Sequence, residues 1–127
     1  MAESVPRIRR KPIPDSALLA IRGDVLDEQV LRSDAQRFSR RFQGWERFGV
    51  SGFLAASETE ITQLFETRLD RYATVIVYRR ADLEALGVEV VATFRVPHVT
   101  IAHRELDALV MVILTCDHGS LDNPYFV

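Results

Sequence analysis

The chain has 127 residues and a mass of 14.4 kDa, which suits one domain with one hydrophobic core and requires neither disulfides nor a metal as a staple. Its 47% hydrophobic and 27% charged residues exclude a disordered chain, and its single cysteine, Cys116, excludes an intrachain disulfide. Net charge is only −2, yet Met1 to Arg47 holds 10 of the 16 basic residues against 7 of the 18 acidic ones, so the front is about +3 and the remainder about −5.

Fifteen of the basic residues are Arg and only Lys11 is Lys, which bears first on a GC-rich coding sequence. Arginines and prolines occupy the first sixteen residues where a secretory signal would need an apolar run. No stretch approaches the roughly 20 apolar residues of a membrane span. The expected location is therefore the cytoplasm, with no membrane partner.

Residues 1–15 are expected to form a basic arm and residues 16–127 a single α+β domain. Pro6, Pro12 and Pro14 interrupt the arm, and Arg7, Arg9, Arg10 and Lys11 repel one another. Val5, Ile8 and Ile13 offer too little apolar surface to offset a backbone ordering cost of roughly 1–2 kcal/mol per residue. The arm should thus be flexible alone and become ordered against a partner, a nucleic acid or a second copy of the chain.

Ala17 to Arg22 is a short apolar run closed by Gly23-Asp24, the pattern of a buried strand and a turn. Asp24 or Asp27 can cap the helix that follows, in which Leu31, Ala35, Phe38 and Phe42 share a face until Gly44 ends it. Phe48 to Ala55 predicts a second strand, whose glycines suggest a bulge or the close approach of another backbone. Ser57 and Glu60 form a capping box before a helix with Ile61, Leu64 and Phe65 on its buried side.

Thr74 to Tyr78 is the clearest strand, being β-branched throughout most of its length. A short helix over Asp82 to Leu86 stops at Gly87, a strand over Val88 to Phe94 follows, and Pro97 separates it from another over His98 to Ala102. Leu106, Leu109, Val110 and Ile113 fit a final helix, although Val110 to Leu114 alone also suits a strand. Cys116 to Val127, with Gly119, Asn123 and Pro124, reads as loop. The elements predict an α+β domain of helices packed on a twisted mixed sheet.

His98-Val99-Thr100 is the pattern with the most direct chemistry. Alternation puts the imidazole and the hydroxyl on one face of a strand, where both can meet a phosphate, the His for proton transfer and the Thr as donor. The same residues also suit an ordinary strand with Val99 and Ile101 buried and His98 at its edge. Arg22 ends the first strand and Ser51 lies in the second; Arg22 can face a ligand or pair with Asp24 or a neighbouring carboxylate. Arg7, Arg9, Arg10, Lys11, Arg37, Arg40 and Arg41 can follow a phosphate backbone or form a solvated basic face. Trp45, Phe42 and Phe48 can stack on bases if exposed, while helical spacing assigns Phe42 to the core. Cys116, Asp117 and His118 are too few for a closed zinc site, and no phosphate-binding glycine loop, dinucleotide motif or zincin helix is present. Neither a metal nor a cofactor is expected.

Pro97 to Ala102 resembles one of the paired H-x-T motifs of the 2H phosphoesterases, which act on cyclic phosphates and RNA ends. That family needs two such strands, and the only other candidate here is His118-Gly119-Ser120. Arg22 and Ser51 resemble the early Arg and Ser of ADP-ribosyltransferases and related small toxins, where they grip NAD. The E-x-E pattern of that family has its letters only at Glu58-Thr59-Glu60, a helix start. Over Pro14 to Val127 the chain resembles a group of short uncharacterised actinobacterial proteins that open with a strand ending in Arg-Gly, here Leu18 to Gly23. They continue with a Leu-Gly turn, here Leu86-Gly87, and finish near Asn-Pro-Tyr, here Asn123-Pro124-Tyr125. Chains of that size often belong to two-gene modules such as toxin with antitoxin. The resemblances imply a toxin-like component acting on RNA or nucleotides through Arg22, Ser51, His98 and Thr100, with a small acidic protein as partner. The alternative is a non-enzymatic interaction domain whose basic arm and first helix bind an acidic partner or nucleic acid.

Overall fold

A computed structural model describes residues 4–23 and 26–126; Asp24, one of the two expected helix caps, lies outside them. The elements in chain order are β1 (Leu18–Arg22), α1 (Glu28–Arg41), a 3-10 turn (Gln43–Trp45), β2 (Phe48–Ala55) and α2 (Glu58–Leu64). β3 (Thr74–Arg79), α3 (Arg80–Ala85), β4 (Glu89–Ala92), β5 (His98–His103), α4 (Leu106–Thr115) and β6 (Gly119–Asp122) complete it. The sheet order is β4-β5-β2-β1-β3-β6, and every pairing is antiparallel. An α+β domain with helices on one sheet is the architecture expected; the parallel pairs that a mixed sheet would contain are not among its pairings.

The tail departs from expectation. Gly119 to Asp122, read as loop, extends the sheet by pairing with β3 from Val77–Gly119 to Thr74–Asp122. A segment of Gly, Ser, Leu and Asp carries no strand propensity, and its pairing comes from the free edge that the β-branched β3 presents. Asn123 then fastens the end, its side-chain amide donating to the Tyr72 carbonyl at 2.9 Å and its Oδ1 accepting from the Tyr125 amide at 2.9 Å.

Local signals account for the helices. Asp27 caps α1, its carboxylate accepting from the Val30 amide at 3.1 Å, and Arg40 and Arg41 occupy the last turn, where a cation suits the helix dipole. Ser57 and Glu60 cap α2: the Glu60 amide donates to Ser57 Oγ at 3.3 Å, and the carboxylate of Glu60 reaches back past the cap to accept from the Ala56 amide at 2.6 Å.

Two apolar clusters bury the sheet. Leu19, Ile21, Val50, Ile76, Val99 and Ile101 meet Leu31 and Ala35 of α1 and Leu109, Val110 and Ile113 of α4. Ala20, Ala55 and Val75 meet Ile61, Phe65 and Leu69, contributed by α2 and the turns after it. Complete burial of Ile113 or Leu109 is worth roughly 1.5–3 kcal/mol each. α4 is therefore held by its apolar face, settling the helix-or-strand ambiguity of its sequence.

One irregularity of the sheet creates the site. β1 pairs with β2 only from Leu18–Ala55 to Ala20–Phe53, while it continues beside β3 as far as Arg22–Val75. β2 likewise continues beside β5 back to Phe48–His103. The two central strands thus part after Ala20, and α1 packs along the half of β2 that β1 has left. Gly49 permits this approach, since a Cβ there would lie 2.7 Å from both the Phe38 ring and the Thr100 methyl.

Residues 4–15, expected as a flexible basic arm, run along the domain from the end of β4 to Arg80 at the start of α3. Ile8 forms an isolated antiparallel bridge with Thr93, the Arg9 amide donates to the Ala92 carbonyl at 2.8 Å, and the Phe94 amide donates to the Arg7 carbonyl at 2.8 Å. Pro6 is buried, and Arg80 donates to the Ile13 carbonyl at 2.6 Å and to Asp15 at 3.0 Å. Main-chain pairing supplies attachment that the few aliphatic side chains of this segment do not. Deleting residues 2–13 is expected to lower the melting temperature of the isolated monomer by several degrees; an unchanged melting curve would show that the segment is a free arm. Gly49→Ala is expected to destabilise the fold by about 1–3 kcal/mol through overpacking, read from the denaturant midpoint.

Candidate functional site

Where β1 and β2 part, a cleft of about 650 Å³ opens between the strand ends and α1. This is within the roughly 300–1,000 Å³ of small-molecule sites. Arg22, Ser51 and His98 all line it, together with Arg37 and Arg41 from α1. Its apolar lining combines aliphatic side chains such as Ile21, Val30 and Val50 with the aromatic rings of Phe38, Phe53, Tyr72 and Phe94. Arg37, Arg41 and Tyr72 had no place in the sequence-derived cleft. The two arginines recur at i and i+4, with Asp34 one turn before Arg37 and Phe38 between them, a pattern legible only once one knows that this helix stripe faces β2.

Strand register explains the convergence. Ser51 stands opposite Thr100 and Phe53 opposite His98, so these four side chains share a face, and Arg22 falls on the same face two residues beyond Ala20. Arg22 forms an ion pair with Asp34 of α1, and this hydrogen bond is the main reason its basicity rises above the ordinary arginine value, with Tyr72 contributing in the same direction. Asp34 also lies 3.9 Å from Arg37. The pairing expected of Arg22 with a neighbouring carboxylate is present, and it fixes the guanidinium at the cleft wall.

His98 is half-buried. Its ring meets Phe94 edge-on with centroids 5.1 Å apart and Phe53 at 5.7 Å and 89°. Nδ1 is 2.9 Å from the Thr93 hydroxyl, which is 2.8 Å from the Thr100 hydroxyl. Burial lowers the His98 pKa to about 4; the charges of Arg68 and Arg9 push the same way, and the Thr93 backbone, which would accept from a protonated ring, opposes them. At neutral pH the imidazole is uncharged. Thr100 is fully buried beneath Phe38, with its hydroxyl engaged by Thr93, so it supports His98 from behind and does not line the cleft.

The turn that presents His98 is held from outside. Phe94 adopts a left-handed conformation, φ 57°, a costly geometry for a bulky residue. The Arg9 guanidinium donates to the carbonyls of Thr93 (2.7 Å), Phe94 (3.3 Å) and His98 (2.9 Å). Arg9 is therefore structural, although it was grouped by sequence with the partner-binding arginines. Arg41 of that group lies over the Phe42 ring at 4.7 Å and the Phe94 ring at 5.8 Å. Arg7, Arg10, Lys11 and Arg40 are exposed on the surface.

The second histidine of an H-x-T pair is elsewhere. His118 lines a separate cleft with Tyr78, Asp82 and Asp117, its ring 5.4 Å from Tyr78 and its Nδ1 2.8 Å from the Cys116 carbonyl. Glu58 lines that second cleft as well, and Glu60 is occupied in the α2 cap, so neither glutamate of Glu58-Thr59-Glu60 reaches Arg22 and Ser51. Among the described residues no group of three or more His, Cys, Asp or Glu side chains is arranged to hold a metal, and no helix is long and apolar enough to cross a membrane. No protein-family model, curated protein or solved structure matches the chain.

The His98 environment has a consequence for acid stability. Unfolded histidine titrates near 6.5. The folded pKa of about 4 means that the unfolded chain binds the proton more tightly. The contribution is complete above pH 6.5 and is lost as pH falls towards 4. His98→Gln, which cannot titrate, is expected to flatten the fall in denaturation midpoint between pH 6.5 and 4.5. An unchanged slope would show that His98 is not held neutral.

Proposed function

We propose that this protein binds a phosphate-bearing nucleotide or the end of an RNA strand in the cleft between α1 and the parted strands, as the toxin-like component of a small two-protein module. The observation that carries the reading is one cleft in which Arg22, Arg37 and Arg41 stand among Phe38, Phe53, Tyr72 and Phe94 beside His98 and Ser51. Arginines recognise phosphate oxygens through charge-assisted, often bidentate bonds, and aromatic faces accept any base, at about 1–3 kcal/mol per stacked base. Neither feature alone suggests a nucleotide; together they match its two chemically unlike halves.

Two family-derived mechanisms find less support. A symmetric two-histidine phosphoesterase would need His98 and His118 in one cleft, and an ADP-ribosyltransferase would need a glutamate beside Arg22 and Ser51. Among the described residues the lining carboxylates are Asp27 and Asp34, and Asp34 is committed to arginine. The interaction-domain alternative requires the face beside His98 to be filled with side chains, and the open cleft favours a ligand.

Binding of mononucleotides and short RNA, followed by calorimetry, tests the reading. Arg37→Ala and Arg41→Ala should each weaken binding roughly tenfold and reduce its salt dependence by about one phosphate contact. Expression of the wild type should inhibit growth, and His98→Ala and Arg22→Ala should relieve that inhibition while remaining folded. A wild-type protein that binds no nucleotide or RNA at millimolar concentration would overturn the proposal.

A further inference from the structure

The buried hydroxyls behind His98 have a directional requirement. Thr93 and Thr100 are both fully buried, and each hydroxyl has one proton to place. Among the described residues the Thr100 hydroxyl has a single partner, Thr93 Oγ1 at 2.8 Å, and Thr93 Oγ1 has two, Thr100 and His98 Nδ1 at 2.9 Å. If Thr100 donates to Thr93 and Thr93 donates to Nδ1, both protons are used. If Nδ1 carries a proton and donates to Thr93, then either Thr93 or Thr100 is left with a buried proton and no acceptor. That penalty is enough to bias the two neutral tautomers by roughly tenfold or more.

The Thr93 carbonyl is the group that would attract a proton to Nδ1. It already accepts from the Arg9 guanidinium at 2.7 Å and lies beside a fixed positive charge. Nε2 has no partner among the described residues, and none of their fully buried side-chain nitrogens or oxygens is unpaired, so Nε2 is open to solvent at the cleft that His98 lines.

We infer that Thr100 and Thr93 fix His98 as its Nε2–H tautomer, so that it meets a ligand as a hydrogen-bond donor to an anionic oxygen and not as a base. The inference rests on the nucleotide reading for its natural ligand, a phosphate group, but the tautomer is a property of the free protein. It changes the role expected from the H-x-T pattern. The Thr does not touch the ligand; it sets the proton position of the His that does. Like the arginines of the wall, His98 then presents a donor to a phosphate, a role that suits recognition or stabilisation of developing negative charge better than proton abstraction.

Side-chain 15N NMR of the uniformly labelled, unliganded full chain at pH 7 tests the tautomer directly. A pyridine-type resonance at His98 Nδ1 and a pyrrole-type one at Nε2 are expected; the reverse assignment, or an even mixture, would overturn the inference. Thr93→Val should shift the ring towards a mixture, and Thr93→Ser, which restores the hydroxyl, should return the wild-type pattern. Titration with inorganic phosphate and with adenosine monophosphate then reads the donor role. The Nε2 proton should move with both probes. His98→Gln, which keeps an N–H donor near the same place, should bind within about threefold of wild type, whereas His98→Ala should lose roughly tenfold or more. No movement of Nε2 with either probe would overturn the donor role. A response to phosphate with no gain in affinity for the nucleotide would instead leave this inference standing and overturn the nucleotide reading.

Discussion

Three carbonyl groups of the turn between β4 and β5 converge on one guanidinium, that of Arg9, and the geometry of the cleft depends on this junction. A left-handed phenylalanine is unfavourable by itself. It persists at Phe94 because its amide is bound by the Arg7 carbonyl and its own carbonyl by Arg9. The same conformation places the Phe94 ring against both Phe42 and His98, joining α1 to the candidate site. A segment far away in sequence therefore determines how the imidazole is presented.

The second constraint is the parting of β1 and β2. Continuous pairing would have filled the space beside Ser51 with a strand, and the sheet face would have been closed. Instead the edge of β2 is covered by a helix, whose side chains are longer and whose charged stripe can face inward. Arg22 pairs across the gap with Asp34, so the wall on that side is held by a charge pair whose members are only partly buried, with 53% and 21% of their side chains exposed. An exposed pair of this kind contributes little to stability. Its effect is orientation, holding a cation where a ligand's anion can reach it.

Much of this was legible in the sequence, and the reasons for success and failure are physical. β3 was readable because β-branched residues favour a pleated surface, and α1 and α2 because caps and apolar spacing are local properties. Arg22, Ser51 and His98 were named together, and they do line one cleft, because strand alternation and element order constrain which ends of a sheet meet. The β6 strand was not readable: its pairing belongs to the exposed edge of β3, not to Gly119-Ser120-Leu121-Asp122. The surroundings of Arg9 were not readable for a similar reason, since a sequence shows its charge but not the three carbonyls that surround it. Arg37 and Arg41 were seen as part of a basic face, while their place at the cleft depends on where β1 leaves β2.

Thr100 illustrates the same limit at the level of chemistry. Alternation correctly sets its side chain on the face of His98, and from alternation alone both groups could reach one ligand. Depth distinguishes them: Phe38 lies over the Thr100 methyl because position 49 has no side chain, while His98, two residues nearer the turn, remains at the opening. A glycine on the neighbouring strand thus converts a presumed ligand contact into a buried support. Once the hydroxyl is buried its proton must find an acceptor, and the nearest is another hydroxyl whose own proton then points to the imidazole. Packing in this way reaches the chemistry of the cleft, through the requirement that no buried donor be left unpaired.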